Sequence, residues 1–330
     1  NPGPGIAVIR SLKEDGRLNL RTIGLAYDAM EPGIYLDWLV ERSFIMPYPS
    51  SEEADYLGRL FYIQEVAGLD VVIPTLDAEL PLYIKGKEKL LSRGIKTFLP
   101  TWEQFELRSK EHLPEVAERI GLAIPPTEAV TSPSELYRAL DRVGFPAMIK
   151  GLFYKAYRVH TYQEAESSFQ KIVAEWGYPV LVQKVVQGEE INVIGLGDGQ
   201  GSSLGLMAIK KLWITAWGKI WTGVTIKNES IIKAAEAFLK AYGWRGAFEL
   251  ECIATEDKIY LIEINPRFPA WVYFATGAGL NLPARLLRAA VGLPVERDSH
   301  YEAGRLYIRY TYDLVTDMET FQRIITRGES

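Results

Sequence analysis

Two strand-like segments joined by a short polar turn, GAFELECIA and KIYLIEIN, constrain the fold of this chain most strongly. Side chains of a strand alternate between its two faces, so Glu249 and Glu251 share one face, as do Glu263 and Asn265. With Asp257 at the centre of the turn, Glu251 faces Glu263 and Glu249 faces Asn265. The apolar residues of both segments then form one layer on the opposite face, and a slip of one residue would break that layer. The sequence therefore predicts an antiparallel hairpin with acidic side chains on one face.

Such a face needs a partner for its charges. Opposed Cβ atoms lie roughly 4.5–5.5 Å apart, and like charges placed there repel each other. Glutamates are rarely buried unless they are paired. A divalent cation resolves the repulsion, since oxygen ligands suit Mg²⁺ or Mn²⁺, which also bind phosphate oxygens. The alternative is a solvated sheet face whose acids meet lysines.

The first 105 or so residues alternate strand and helix patterns. RTIGLAYD, RSFIMPY and DVVIPTLD resemble strands, and EEADYLGRLFYIQEVAG resembles a helix, which together predict a doubly wound parallel sheet. The opening turn NPGPG leads into the helical pattern IAVIRSLKEDG, so we expect a further strand to precede the turn. Its glycine pattern is partial, because Val8 stands where the third glycine of a dinucleotide site would be. We interpret it as a tight turn and not as a nucleotide site.

The remainder has an α+β pattern. A helix within ELRSKEHLPEVAERIGLAIPPT leads to the strands GFPAMIKG and YPVLVQKVVQG around the helix EAESSFQKIVAEWG. LGLMAIKKLWIT and KIWTGVTIK indicate a hairpin that turns around Ala216, Trp217 and Gly218. IIKAAEAFLKAYG is predicted to be helical, as are residues 278–294, and GRLYIRYTYDLV indicates a strand-like tail.

Charge and cysteine usage exclude several classes of protein. The net charge of −5 gives no reason to expect a nucleic-acid or membrane-surface partner. No uncharged apolar run reaches the ~18 residues that a transmembrane helix needs. Cys252 is the one cysteine among 330 residues, which excludes an internal disulfide and fits a reducing cytoplasm. We therefore expect a cytoplasmic protein that binds neither nucleic acid nor membrane.

Glu251, followed by Glu263-Ile264-Asn265-Pro266-Arg267, resembles the metal-binding end of the ATP-grasp superfamily. The chain looks most similar to members related to biotin carboxylase, D-alanine–D-alanine ligase and the large chain of carbamoyl-phosphate synthase. The resemblance covers residues 106–295 and implies an α/β and α+β protein. An N-terminal doubly wound parallel sheet, the pre-ATP-grasp domain, would span residues 1–105. A two-lobed ATP-grasp fold with antiparallel sheets would follow, with a lid subdomain at 106–182, a catalytic subdomain at 183–297 and a strand-like extension at 298–330.

The resemblance also implies roles for individual residues. Two lysines, Lys110 and Lys150, match phosphate-binding lysines, and Lys210 or Lys211 matches the basic residue that reaches the terminal phosphates. Arg267 would hold the reacting acyl phosphate, because a planar guanidinium suits two oxygens. The adenine hinge and the ribose acid correspond to Gln183, Lys184, Val185, Val186 and Glu190. The metal ligands would be Glu251, Glu263 and Asn265.

The implied cofactors are ATP and two Mg²⁺ or Mn²⁺ ions, and the implied activity is that of a carboxylate–amine ligase. Small-molecule carboxylate and amine substrates are the expected partners, and a homodimer is compatible with the resemblance. One departure from the family is GLFYKAYRVHT, where a glycine-rich loop would cover the phosphates. It leaves open a second hypothesis, an ATP-binding regulatory protein with a degenerate site. Asp77 and Glu79 would hold a substrate amine or, alternatively, mark a helix N-terminus.

Overall fold

A computed structural model describes residues 3–152, 155–215 and 218–330. The chain divides into two compact units. The large unit comprises Asn1–Phe105, Asn192–Leu250 and Ile264–Ser330, and the small unit comprises Glu106–Ile191 and Glu251–Glu263.

In chain order the described helices are α1 (Pro4–Glu14), α2 (Glu53–Ala67), α3 (Leu80–Lys85), α4 (Lys87–Ser92), α5 (Trp102–Glu106), α6 (Leu113–Arg119), α7 (Pro133–Val143), α8 (Tyr162–Trp176), α9 (Glu229–Tyr242), α10 (Tyr273–Gly277), α11 (Leu282–Val291) and α12 (Met318–Arg327). The described strands are β1 (Ile23–Ala26), β2 (Arg42–Ile45), β3 (Thr127–Val130), β4 (Ala147–Lys150), β5 (Ala156–Val159), β6 (Val180–Lys184), β7 (Glu189–Asp198), β8 (Ser203–Ile214), β9 (Ile220–Ile226), β10 (Arg245–Ala254), β11 (Ile259–Asn265) and β12 (Leu306–Ile308).

A small parallel sheet lies in the N-terminal part of the large unit. β1 and β2 pair in parallel, and α2 follows β2 and buries Tyr56, Leu60 and Ile63 in the core. The predicted parallel pairing is confirmed. The third predicted strand, over residues 70–77, is reduced to one parallel bridge between Val71 and Lys96. Pro74 has no N–H to donate to a ladder, which accounts for the early end of the pairing. The opening turn begins with Asn1 and Pro2, which lie outside the described residues, so the strand expected before that turn stays a prediction.

Residues 328–330 add a short antiparallel segment to the free edge of β2. Glu329 bridges Phe44, the Ile45 N–H donates to the Gly328 carbonyl at 2.8 Å, and the Ser330 N–H donates to the Ser43 carbonyl at 3.0 Å. This segment covers an edge that would otherwise present unpaired backbone groups.

Helix α12 leads into that segment, and it corrects the prediction of a strand-like extension over 298–330. The Asp317 side chain caps the helix by accepting from the Thr320 N–H at 2.7 Å, and Gly328 ends it with a φ of 71°. Ile324 is buried against Ala26 of β1 and against Ile34, which lies between β1 and β2. Only Leu306–Ile308 of the predicted tail forms a strand. Asp317 and Gly328 are a capping pair typical of a helix, whereas the alternating apolar pattern before them is typical of a strand.

A six-stranded sheet has the order β11-β10-β7-β8-β9-β12. β8 and β9 form the predicted antiparallel hairpin, in which Lys210 pairs with Val224 and Lys211 with Gly223. A register shift follows between Lys211 and Trp213. The turn residues Ala216 and Trp217 lie outside the described part of the chain. The second predicted hairpin corresponds to β10 and β11, which are neighbours in the sheet.

The small unit contains an antiparallel sheet of order β3-β6-β4-β5. Two helices pack against it, α7 and α8, and both begin with the same capping arrangement. The Ser132 hydroxyl accepts from the Glu135 N–H, and the Thr161 hydroxyl accepts from the Glu164 N–H. The sequence patterns predicted α8 but not α7, although Ser-Pro-Ser-Glu carries a capping-box signature.

Two helix predictions were too long. The helix predicted around residues 106–121 begins only at Leu113, where Pro114 occupies the first turn. Residues 278–294 contain α11 alone, because the Asn281 side chain caps a new helix by accepting from the Ala284 N–H at 3.1 Å. The mixed α/β class with one parallel and two antiparallel sheets is confirmed.

Candidate functional site

Glu249 on β10 is a buried carboxylate, 2% exposed, at the centre of a hydrogen-bond network in the large unit. It accepts from Asn192 Nδ2 at 2.6 Å, from Asn265 Nδ2 at 3.0 Å and from Trp271 Nε1 at 2.9 Å. The bond to Asn265 agrees with the register that sets Glu249 opposite Asn265. Since its amide nitrogen is held by Glu249, the other polar atom of the Asn265 side chain is Oδ1, which accepts from Arg267 Nη2 at 3.4 Å. The sequence patterns placed Glu249 on this face but assigned it no role.

The small unit brings together two of the predicted phosphate-binding lysines and two of the predicted metal-binding acids. Lys150 interacts electrostatically with Glu263 and Glu251, and Lys110 with Lys150 and Glu263. Burial lowers the pKa of Lys150, while the two carboxylates act in the opposite direction. Burial, and next the charge of Lys150, lower the pKa of Lys110 to about 8, against the effect of Glu263. Two lysines so close together and so poorly hydrated favour an anionic ligand.

Hydrogen bonds hold both lysines in place. Lys150 Nζ donates to Gln183 Oε1 at 2.6 Å, and Gln183 Nε2 donates in turn to Thr127 Oγ1 at 2.8 Å. Lys110 Nζ donates to the Gly151 carbonyl. The predicted hinge residue Gln183 therefore acts through its side chain on one of the predicted phosphate lysines.

The predicted adenine hinge begins with Gln183 and Lys184, the last two residues of β6. The Lys184 N–H donates to the Pro126 carbonyl at 2.9 Å, and the Val185 N–H donates to the Pro146 carbonyl at 3.3 Å. Gly188, just beyond, packs so closely on the end of β10 that a Cβ there would collide with the Ala254 carbonyl. Val186 lies between these contacts, and Glu190 lies in β7. The hinge is thus fixed at both ends by backbone contacts of the small unit.

Arg267 follows β11 and pairs with Asp77. Its Nε and Nη2 atoms lie 2.8 and 2.7 Å from Asp77 Oδ2, and both side chains are about four-fifths buried. Arg267 Nη2 also lies 3.4 Å from Asn265 Oδ1. Asp77 therefore positions this guanidinium in the structure.

Glu79 has a different environment from the one predicted for a substrate-binding acid. It is 7% exposed, and its Oε1 accepts from the Thr75 and Leu76 N–H groups at 2.6 and 2.9 Å. Its Oε2 accepts from the Tyr27 hydroxyl. Burial raises the pKa of Glu79, and these hydrogen bonds oppose the rise. These bonds connect the residues just before α3 to the core. Glu79 is therefore better explained as a structural residue than as a ligand of a substrate amine.

Lys210 and Lys211 lie on opposite faces of β8. Ile209 and Ala247 belong to one core cluster, so residues two positions further along each strand share that face. Lys211 therefore lies on the face of Glu249, and Lys210 lies on the other face with its cross-strand partner Val224. The sequence patterns could not choose between the two lysines, and strand alternation favours Lys211 for the site.

In the ranges that the structure describes, no group of three or more His, Cys, Asp and Glu residues is arranged to hold a metal ion. The predicted ligand set is of another kind, with two carboxylates and one amide oxygen. Oxygen-only donors of this type suit a hard cation that also binds a phosphate ligand. Cys252, as predicted, is buried. Of the described helices, none is long and apolar enough to cross a bilayer.

Comparisons with known proteins bear on this arrangement. Residues 178–312 match the family described as "ATP-grasp in the biosynthetic pathway with Ter operon". The chain carries an ATP-grasp region. The resemblance drawn from Glu251 and from residues 263–267 is thereby confirmed.

Relatives of this region include much longer proteins. The carbamoyl phosphate synthase large chain of Clostridium acetobutylicum is 24% identical over 244 residues, which is 67% of this chain and 23% of that protein. Acetyl-CoA carboxylase of Dictyostelium discoideum is 29% identical over 222 residues, 60% of this chain and 10% of that protein. The chain thus spans less than a quarter of either relative.

Solved ATP-grasp structures share the fold. The biotin carboxylase domain dimer of Hydrogenobacter thermophilus 2-oxoglutarate carboxylase, in complex with MgADP, ADP and bicarbonate, has a TM-score of 0.70 at 21% identity, over 93% of this chain and 72% of that one. N5-carboxyaminoimidazole ribonucleotide synthetase from Thermus thermophilus has a TM-score of 0.67 at 18% identity, over 90% and 79%. At such identities the likeness establishes the fold and not the substrate.

Proposed function

We propose that this chain is an ATP-dependent carboxylate–amine ligase that forms an amide or peptide bond through an acyl phosphate and releases ADP and phosphate. The observation that carries the proposal is the meeting of Lys110 and Lys150 with Glu251 and Glu263 in the small unit. Cations for phosphate and acids for a metal are the two requirements of phosphoryl transfer from ATP. The matched family and the synthase, carboxylase and synthetase relatives support the same class.

ATP is proposed to lie along the small unit. The Lys110 and Lys150 ammonium groups would bind its phosphates, and Glu190 would accept from the ribose hydroxyls. Because the Lys184 and Val185 N–H groups bond to proline carbonyls, the adenine is expected to meet the Lys184 carbonyl and the Val186 N–H. Gln183 would then position Lys150 and not contact the base directly.

Glu251, Glu263 and Asn265 would hold Mg²⁺ or Mn²⁺, with two ions proposed. The residues fit a hard cation, because Glu249 holds the Asn265 amide nitrogen and so leaves the oxygen as the ligand atom. When bound, the metal would neutralise charge on the phosphates.

The reaction would start when an oxygen of the substrate carboxylate attacks the γ-phosphorus and the bond to the ADP oxygen breaks. Arg267 would bind the resulting acyl phosphate, and its contact with Asp77 supports that role by orienting the guanidinium. Lys211 would bind the terminal phosphate. The amine then attacks the acyl carbon, phosphate leaves with the carboxylate oxygen, and the nitrogen loses a proton.

The test is Mg²⁺-dependent ADP release with mixed carboxylates and amines. Glu263→Gln should abolish turnover and leave folding intact, because it removes a ligand charge with little change in volume. Glu256→Gln, at an exposed position in the turn of the same hairpin, is the matched control and should retain turnover. Turnover near the wild-type rate in Glu263→Gln would refute the metal assignment.

The alternative is an ATP-binding regulatory protein. It is favoured by the segment 151–161, which lacks the glycine-rich loop of the family and in which Lys155 pairs with Glu175 at 3.5 Å. Phe153 and Tyr154 of this segment lie outside the described residues. If nucleotide binds and no carboxylate stimulates ADP release, the regulatory function becomes the better conclusion.

A further inference from the structure

Asp77, the partner of Arg267, lies in the turn that leads into α3. The Arg267 Nε and Nη2 atoms lie 2.8 and 2.7 Å from Asp77 Oδ2. The other contacts of this guanidinium are longer, at 3.3 Å to the Phe268 carbonyl and 3.4 Å to Asn265 Oδ1. The direction of the guanidinium therefore depends most on Asp77, and the position of Asp77 depends on what holds its turn.

Glu79 holds that turn on both sides of Asp77. Its Oε1 accepts from the N–H groups of Thr75 and Leu76 at 2.6 and 2.9 Å, and its own N–H donates to the Leu76 carbonyl at 3.3 Å. The backbone of residues 75–79 is thus closed around one buried carboxylate, with Asp77 inside the closed segment. A shift of the Asp77 backbone would strain these three bonds.

Tyr27, the residue that follows β1, fixes the carboxylate of Glu79 from the other side. Its hydroxyl donates to Glu79 Oε2 and lies 2.7 Å from the hydroxyl of Tyr56, a residue of α2 with no exposed area. The Tyr56 hydroxyl in turn donates to the Tyr83 hydroxyl on α3 at 3.2 Å. Burial is the main cause of the raised pKa of Tyr27, which keeps this hydroxyl protonated as a donor. Hydrogen bonds therefore connect Tyr27 through Glu79 to the turn that carries Asp77.

We propose that Tyr27 and Glu79 are positioning residues for Arg267, which they hold in place through the turn of Asp77. The inference rests on the function proposed above, in which Arg267 binds the acyl phosphate. A misplacement of about 1 Å caused by a change far from the chemistry can lower a rate by about a hundredfold. Neither Tyr27 nor Glu79 needs to contact a substrate, because their effect on the reaction passes through the guanidinium.

Tyr27→Phe tests the proposal, because it removes the donor to Glu79 and keeps the ring that stacks on Tyr48. Tyr83→Phe is the matched control, since it removes a hydroxyl of the same cluster that bonds to Tyr56. In the ADP-release assay Tyr27→Phe should lower kcat by about tenfold or more and change KM for ATP by less than about twofold. Tyr83→Phe should keep kcat within about twofold of the wild type, and circular dichroism should show that both variants are folded.

An NMR measurement on Arg267 separates positioning from general stability and does not require ligase activity. In ¹⁵N-labelled protein the Nε–H signal of Arg267 is identified by its absence from Arg267→Lys. Because this N–H donates to Asp77, its exchange with solvent reports how well the contact is held. Tyr27→Phe should speed this exchange by about fivefold or more, and Tyr83→Phe by less than about twofold.

A double variant tests the same connection in the kinetics. When Arg267→Lys is already present, Tyr27→Phe should lower kcat by less than about twofold, because the guanidinium that it positions is gone. Unchanged exchange in Tyr27→Phe, or an equal rise in Tyr83→Phe, would overturn the proposal. So would an active enzyme in which Tyr27→Phe leaves kcat unchanged, or lowers it equally with and without Arg267→Lys. If no carboxylate stimulates ADP release, the proposed function fails, and the exchange rates still decide whether Tyr27 positions Arg267.

Discussion

Replacing Glu249 should cost a large share of the stability of this protein, although the residue is proposed to touch neither ATP nor metal. At least three donors converge on its carboxylate, those of Asn192, Asn265 and Trp271. In Glu249→Leu these buried donors lose their acceptor, at about 1–3 kcal/mol each. The sum of about 3–9 kcal/mol compares with a total of about 5–15 kcal/mol for a typical domain.

Glu249→Gln is the milder test. Glutamine keeps one acceptor oxygen but turns an amide NH₂ toward at least one of the converging donors. Losing a charge-assisted bond and opposing two donors should cost about 2–4 kcal/mol. Glu251→Gln is the matched control, two residues along the same strand face and partly exposed. It should cost less stability than Glu249→Gln, because Glu251 is partly exposed and water screens its contact with Lys150.

Urea unfolding of the three variants, followed by circular dichroism, measures these differences as shifts in the midpoint. A double-mutant cycle of Glu249→Gln with Trp271→Phe should show a coupling of about 0.5–3 kcal/mol, since the two side chains share a hydrogen bond. Equal stability of Glu249→Gln and wild type, or an equal loss in Glu251→Gln, would refute the view that the two glutamates have separate structural and ligand roles.

Three further predictions follow from other parts of the structure. Arg267→Lys should lower kcat with little change in nucleotide affinity, because lysine keeps the charge but lacks the planar fork; ¹⁸O in the substrate carboxylate should still reach the released phosphate, and unlabelled phosphate beside normal amide would contradict the acyl phosphate. Burial raises the pKa of the Glu79 carboxyl in the folded protein. At pH values between the pKa of the unfolded state and that of the folded state, Glu79 therefore takes up a proton when the protein folds. The free energy of unfolding of the wild type should therefore fall as pH rises through that range, and Glu79→Gln should remove this pH dependence. Urea unfolding at several pH values measures it, and the same pH dependence in both proteins would contradict the role given to Glu79. Ile324→Ala should destabilise by about 2–4 kcal/mol through loss of the buried contact of α12, whereas Ile325→Ala, exposed on the same helix, should have little effect on the melting temperature.

Local patterns predicted this chain well where period and spacing decide the structure. Alternation in β10 and β11 placed Glu249 opposite Asn265, and the hydrogen bond between them agrees with it. Tertiary context decided the rest. The burial of Glu79 depends on Tyr27 and Tyr56, which are distant in sequence, so its acid beside a strand end looked like a ligand.

Contacts between residues distant in sequence also decided the parts of the site that the sequence did not predict. The choice between Lys210 and Lys211 needed the strand register and the location of the core, neither of which a pair of adjacent lysines contains. The exposure of Leu306 and Ile308 on β12 was not predictable for a related reason. Alternating apolar residues in GRLYIRYTYDLV predict a strand, but the pattern does not show which face is covered.

The N-terminal sheet is completed by residues that lie far along the chain, the segment at residues 328–330. The contacts of Ser43 with Ser330 and of Arg42 with Glu329 each join residues 287 positions apart. Closing a loop of that length costs about 5 kcal/mol in chain entropy beyond a constant, and contacts so distant slow folding. During synthesis the edge of β2 would stay open until nearly all of these 330 residues had left the ribosome. The sheet of β1 and β2 would then be completed only after the residues between it and the segment at 328–330 had been made, and chaperones would have most reason to bind it during that interval.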